Sequence, residues 1–211
     1  YYTPSDFVGS LQLQSDKVAL KNRESEGINK TILTYTDFRK ALSLAIDRAD
    51  FAAKNTTSSL KGFGLYNTMH YYDVENGAAY RESDEAKKVL CEIYNVDYTK
   101  YESLDKAVDA ITGYDPDAVK QLITAAYNQA KADGKINDTD IVKLTFGTSA
   151  ISESEERMVK YFDDAWSKAA EGTPLEGRIE VEIKDFGDKW AEDFRAGAYD
   201  VCLGGWTGAA W

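Results

Sequence analysis

An α/β domain with several parallel strands is what this sequence predicts, and three observations predict it. From residue 142 onward, strand and helix patterns alternate as βαβαβ, an order that favours parallel pairing. Upstream, two long stretches carry apolar residues at helical spacing, one behind a Thr-Asp start and one behind Asp-Pro. The 211 residues are 43% hydrophobic and 12% aromatic, enough for one substantial core and too apolar for a disordered chain.

Val8 to Leu13 reads as a short strand, and residues 15–35, polar and mixed in pattern, as a loop or weak extended segment. Thr36 offers an N-cap and Asp37 a negative charge in the first turn. Phe38, Ala41, Leu42, Ala45, Ile46 and Ala49 follow at helical spacing and predict one helix over 37–53. Residues 55–82 lack periodicity but carry Phe63, Tyr66, Met69, Tyr71, Tyr72 and Tyr80. So long an aromatic loop is either packed onto the domain or shaped for a ligand. Ser83 caps a helix reaching Tyr94, and a helical turn follows over 103–111. Asp115-Pro116 opens a long helix whose buried stripe is Ala118, Leu122, Ile123, Ala126, Tyr127 and Ala130, with Gly134 at its end. Val142 to Phe146 is a strand. Ser152 and Glu155 form a Ser-x-x-Glu capping box before a helix that buries Met158, Phe162, Ala165, Trp166 and Ala169. Arg178 to Ile183 alternates charged and apolar residues, 189–196 is a short helix, and Tyr199 to Leu203 a strand. No linker or repeat interrupts the pattern, so a single domain over 1–211 is expected.

Composition excludes several functions. Lys and Arg number 25 against 36 Asp and Glu, a net charge of −11 that argues against non-specific nucleic-acid binding. No apolar run approaches the roughly 20 residues of a membrane-spanning helix. Cys91 and Cys202 are too few for a disulfide scaffold and are expected as free, buried thiols. Catalytic chemistry finds little support. His70 is the sole histidine, no Gly-x-Ser-x-Gly elbow exists, and one His with two separated Cys does not make a zinc site. Asp133-Gly134-Lys135 looks faintly like a calcium loop, but the alignment places Lys131 where a carboxylate must coordinate. Neither a cofactor nor a metal is therefore expected. Glu155-Glu156 and Asp163-Asp164 would suit an acid-pair hydrolase on an α/β scaffold, yet they fall on helix surfaces where solvated charge is the ordinary role. The chain begins Tyr1-Tyr2-Thr3-Pro4 and stops at Trp211 after an apolar stretch, and it reads as a piece of a longer protein.

Two stretches rise above this background: Phe38-Arg39-Lys40-Ala41-Leu42-Ser43-Leu44-Ala45-Ile46-Asp47-Arg48, and Gly197-Ala198-Tyr199-Asp200-Val201-Cys202-Leu203-Gly204-Gly205-Trp206-Thr207-Gly208. Together they resemble the extracellular solute-binding proteins of peptide ABC importers, the oligopeptide and dipeptide group. Tyr80-Arg81-Glu82-Ser83-Asp84, Tyr114-Asp115-Pro116-Asp117-Ala118 and Thr3-Pro4-Ser5 resemble further segments of that family in the same order. The resemblance implies one lobe of a periplasmic-binding-protein-like (type II) clamp, a mixed sheet flanked by helices. It would be the C-terminal lobe, with hinge-proximal segments at both ends and the N-terminal lobe missing. It also implies a non-enzymatic carrier that captures oligopeptides and hands them to ABC permease subunits, outside the cytoplasm as a cell-surface lipoprotein or in the periplasm. Oligosaccharide or nickel-complex carriers, and a sensor or adhesion module reusing the lobe, are the neighbouring readings.

For individual residues, the resemblance implies that Trp206 lines the cleft, with Gly204, Gly205 and Gly208 admitting backbone close to a ligand and Thr207 beside them. Trp190 is the counterpart of a second pocket Trp, Arg195 is placed to meet a peptide carboxylate, and Tyr71 and Tyr72 to edge the cleft. Arg39, Asp47 and Arg48 are expected to hold the lobe together. Peptide-binding relatives often carry an Asp three residues after Gly-Trp to receive the α-amino group; Ala209 stands there, so that anchor is expected to be absent.

Overall fold

The computed structural model describes residues 5–64 and 66–207. Its strands are β1 (Phe7–Leu13), β2 (Ile28–Asn29), β3 (Tyr71–Asp73), β4 (Ala78–Ala79), β5 (Ile141–Thr148), β6 (Ile179–Asp185) and β7 (Val201–Thr207). Its α-helices are α1 (Lys17–Asn22), α2 (Thr36–Leu44), α3 (Arg48–Asn55), α4 (Asp84–Ile93), α5 (Leu104–Ala110), α6 (Pro116–Ala132), α7 (Glu153–Ala169) and α8 (Trp190–Arg195). β1, β2, β5, β6 and β7 form one sheet along the path β1-β7-β5-β2, with β6 on β5; β3 and β4 form a separate hairpin.

β5 is the spine, for reasons visible in its composition. Val142, Leu144 and Phe146 alternate with Lys143, Thr145 and Gly147, and every residue from Leu144 to Thr148 is buried, as in a parallel strand covered on both faces. β6 lies parallel along its whole length, Val142 opposite Ile179 through Thr148 opposite Asp185. The other edge is shared. β2 pairs with Ile141 and Val142 at one end, and Val201 of β7 pairs with Phe146 at the other, both parallel.

The described chain forms two compact units by its internal contacts, divided within β1 after Ser10, after Ile46, after Tyr114, and within β7 after Leu203. The larger comprises Leu11–Ile46 and Asp115–Leu203. There α6 packs on α2 and α7 on β6. Trp166, fully buried, donates its indole N–H to the Leu42 carbonyl (2.9 Å) and stacks on Phe162, which stacks on Phe146. In the smaller unit Cys91, Ala107 and Ile111 form a core covered by Phe63, Leu90, Tyr94 and Tyr98.

Local signals account for most boundaries. Ser83, Asp115 and Ser152 each accept a backbone N–H as N-caps, and Pro116 takes the first position of α6. Four expectations are corrected. The helix expected over 37–53 is two, because Asp47 caps α3 by accepting from the Ala49 and Asp50 amides (3.0 Å each), which stops α2 at Leu44. The N-cap of α2 is Tyr35, without a side-chain bond, rather than Thr36. Residues 15–35 are not merely extended: Asp16 caps α1, which buries Leu20. The aromatic loop contains the β3–β4 hairpin, turned by Asp73, which accepts from Asn76 (3.1 and 2.7 Å), and by Gly77 at φ +67°.

Candidate ligand-binding site

The Gly-Ala-Tyr-Asp stretch explains why β7 begins where it does. Gly197 sits at φ +80°, and a Cβ there would collide with Ala19. Tyr199 is fully buried, its hydroxyl donating to the Trp190 carbonyl (2.6 Å) and its ring between Phe186 and Phe194 (centroids 4.3 and 5.3 Å). Burial raises its phenol above the ordinary range, with the neighbouring Cys202 adding to the effect. The Cys202 thiol is itself pushed up to about 11 by burial, against the bond with Tyr199 that lowers it. Both cysteines are buried and unbonded to each other, as expected.

Asp200 occupies the gap on the β5 edge between β2 and β7. It has no exposed surface. Its backbone N–H donates to the Thr145 carbonyl (3.0 Å) and its carbonyl accepts from Gln14 (2.8 Å). Its Oδ2 accepts from the Thr145 amide (2.8 Å) and from Lys30 Nζ (2.6 Å), while its Oδ1 lies 2.6 Å from Arg23 Nη1 as an ion pair without hydrogen-bond geometry. Lys30 also reaches Thr145 Oγ1 (3.2 Å), which donates to Glu182 (3.0 Å). Burial pushes the Glu182 carboxyl up, but Lys143, Thr145 and Lys30 outweigh it and hold it below its ordinary value.

The residues singled out for ligand contact fall in both units. Gly205, Trp206 and Thr207 continue β7 in the smaller unit, where Tyr71 and Tyr72 also lie on β3; Trp190 and Arg195 lie on α8 in the larger. The Trp206 side chain, Gly208 and Ala209 are outside the described residues. A Cβ on Gly205 would come within 1.9 Å of the Phe7 ring of β1, so that half-exposed ring would have to turn aside. Thr207 and Arg195 are exposed, Trp190 is half-buried, and Tyr72 is 65% exposed whereas Tyr71 is half-buried in the hairpin. Sequence reasoning missed the arrangement around Tyr71. Tyr66 is packed against His70 and Tyr80 (centroids 4.3 and 4.7 Å), and the Tyr80 amide donates to the His70 carbonyl (2.8 Å). Asn76-Gly77, a strong hairpin dipeptide, was the signal that would have found it.

Other polar groups are committed elsewhere. Arg39 donates to the Leu33 carbonyl (2.5 Å), and Arg48 donates to the Gly62 carbonyl (2.7 Å) while lying over Phe63 and Tyr94, so both have the structural roles expected. Glu155 accepts from Thr148 and Ser152, Asp163 from the Val181 amide, and Asp164 from Lys160. Among the described residues no group of three His, Cys, Asp or Glu is placed to hold a metal, and no helix is long and apolar enough to cross a membrane. A depression of about 650 Å³ in the larger unit is lined by Lys17, Lys21, Lys135, Thr31, Tyr35 and Asp133 among others, none of them a predicted ligand contact. Burial and the bond to Asp133 (2.7 Å) push the Tyr35 phenol up to about 12.

Comparison with known proteins gives a consistent result. Residues 8–211 match the family model described as bacterial extracellular solute-binding proteins, family 5 middle. A search of curated proteins found no relative. Among solved structures, the chain is similar to the substrate-binding domain of an oligopeptide ABC transporter from Bacillus anthracis (TM-score 0.56, 16% identity, 96% of this chain and 30% of that one). It is similar also to MppA, a periplasmic murein tripeptide binding protein (0.53, 15%, 99% and 30%). A third is the periplasmic binding protein MelB from Agrobacterium fabrum, in complex with stachyose (0.51, 14%, 97% and 26%). The α/β fold is thus that of periplasmic binding proteins, and the chain spans about 30% of the length of the first two.

Proposed function

The chain belongs to the family 5 bacterial extracellular solute-binding proteins, and on that premise we propose that it is one lobe of a two-lobed clamp serving an ABC importer. Both compact units belong to this C-terminal lobe. The opposing N-terminal lobe lies in the part of the protein that the chain does not span. Ligand touches both lobes only in the closed state, so binding drives closure, and the closed form docks on the permease subunits. The carrier works outside the cytoplasm, as a surface lipoprotein or in the periplasm, and is not an enzyme.

The observation that carries this reading is the pairing of a family match over residues 8–211 with a span of only about 30% of solved binding proteins. An oligopeptide is the ligand favoured, since the names of two of these neighbours specify peptides. Such a carrier grips backbone and leaves roomy, wet pockets for side chains. Gly205, Trp206, Thr207 and Gly208 are the first candidates for that grip, and Trp190, Arg195, Tyr71 and Tyr72 are further candidates. An oligosaccharide is the second reading, favoured by the stachyose complex and by Ala209, which removes the usual amine anchor. The acid-pair hydrolase loses ground because Glu155, Asp163 and Asp164 are all engaged in holding α7.

A micromolar ligand supplies about 8 kcal/mol, so a lobe with half of the contacts holds about 4 kcal/mol, which is millimolar. Isothermal titration of the 211-residue chain with a mixture of tri- to pentapeptides is therefore expected to give no micromolar binding. The same mixture on a protein that includes the preceding lobe is expected to bind at micromolar level, and stachyose to be the weaker titrant. Micromolar binding by the chain alone overturns the two-lobe reading; preference for stachyose overturns the peptide assignment.

A further inference from the structure

The geometry points to Asp200, held by Lys30 and Arg23, as the positioning residue that sets the register of β7 on β5. Parallel strands with a one-sided apolar pattern hold register through side-chain alternation, because a slip by one residue exchanges the two faces. β7 has little of that safeguard at its outer half, where Leu203-Gly204-Gly205 offers little alternation, and among the described residues it pairs with β5 at Phe146–Val201. A different device stands immediately before that pair. Asp200 engages Thr145 twice, through its backbone N–H to the carbonyl and through its carboxylate to the amide. The carboxylate thus takes the place of a strand partner on the stretch of β5 that β2 leaves and β7 has not yet reached.

The two cations come from far upstream. Arg23 is the C-cap residue of α1 and Lys30 directly follows β2. Because they reach Asp200 from opposite oxygens, Oδ1 and Oδ2, they fix the rotation of the carboxylate as well as its position. Tyr199 on one side is locked to Trp190, and Gln14 holds the Asp200 carbonyl. A residue slip of β7 would therefore withdraw a buried carboxylate from two cations at once, and the register has one acceptable setting. The consequence for ligand capture rests on the reading proposed above, because Gly205, Trp206 and Thr207 stand on the same strand; the register itself does not.

The test separates positioning from simple stabilisation. Removing Asp200 alone would strand the buried Lys30 and the partly buried Arg23, whereas replacing a whole buried ion group by apolar residues is often neutral for stability. The triple variant Arg23→Met, Lys30→Met, Asp200→Asn is compared with the parent by thermal unfolding and by hydrogen–deuterium exchange, with no ligand present. The expected result is an unchanged unfolding midpoint together with at least about tenfold faster exchange at residues 201–207, while the amides of 141–148 and 179–185 keep their protection. Equal acceleration of all three segments, or none at 201–207, overturns the proposal. Should the triple variant fail to fold, Lys30→Met alone, which leaves the Arg23 pair, is read by the same criterion. Lys30→Arg is expected to restore protection at 201–207. Because no ligand enters the measurement, its outcome is independent of whether the chain carries peptides.

Discussion

Tyr199 and Gly147 show how one residue fixes its neighbour's identity. A Cβ on Gly147 would come within 2.4 Å of the Tyr199 ring, which is fully buried and tied to the Trp190 carbonyl. Gly147→Ala is expected to destabilise the protein by about 1–3 kcal/mol, the ordinary cost of overpacking a closed core. Urea unfolding with an unchanged m-value would report it, and a neutral result would mean that Tyr199 can relax. The tyrosine was legible in the sequence as part of a motif, but its partner was not. Nothing in Phe146-Gly147-Thr148 announces which aromatic will lie against it, because that contact joins residues 52 positions apart (199 − 147). Asp200 is similar. An acid at the edge of an apolar strand reads as exposed until Lys30 and Arg23 are brought to it by the fold.

At the scale of elements, the break between α2 and α3 shows what periodicity hides. Apolar residues at 38, 41, 42, 45, 46 and 49 keep helical spacing through the break, so the stripe alone predicts one helix. The side chain of Asp47 decides otherwise by accepting two amides of the next turn, at a φ of −72° and ψ of 105° that no helix continues through. Asp47→Ala is expected to cost about 0.5–2 kcal/mol of stability, the usual value of an N-cap. Circular dichroism during urea unfolding measures it; a gain in helix content and in stability together would mean that the chain prefers the unbroken helix. The same competition explains the other misreadings. α1 is short and buries only Leu20, too little apolar pattern to outweigh its polar surface, and the hairpin of two and three residues has no room for alternation. Long helices with caps, such as α6 and α7, were legible because many residues repeat one message.

For the whole molecule the dominant field is its charge. The balance of −11 is spread over a surface whose ion pairs are mostly exposed, such as Lys54–Asp50 and Lys160–Asp164. Exposed pairs of this kind contribute about 0–1 kcal/mol each, and salt screens them. The surplus of carboxylates repels itself over longer distances and destabilises the compact state, and salt screens that repulsion too. The longer-ranged effect is screened first, because the Debye length falls below the spacing of surface charges before it falls below a contact distance. The buried group at Asp200 lies beyond the reach of either effect, being shielded from solvent. Raising sodium chloride from about 0.02 to 0.5 M at neutral pH is therefore expected to raise the melting temperature by a few degrees, about 1 kcal/mol corresponding to 2–4 °C in a chain of this size. Differential scanning calorimetry decides the sign. A fall on adding salt would place the stabilising electrostatics in the surface pairs, and would mean that the acid excess is arranged to be felt by a partner rather than by the protein itself.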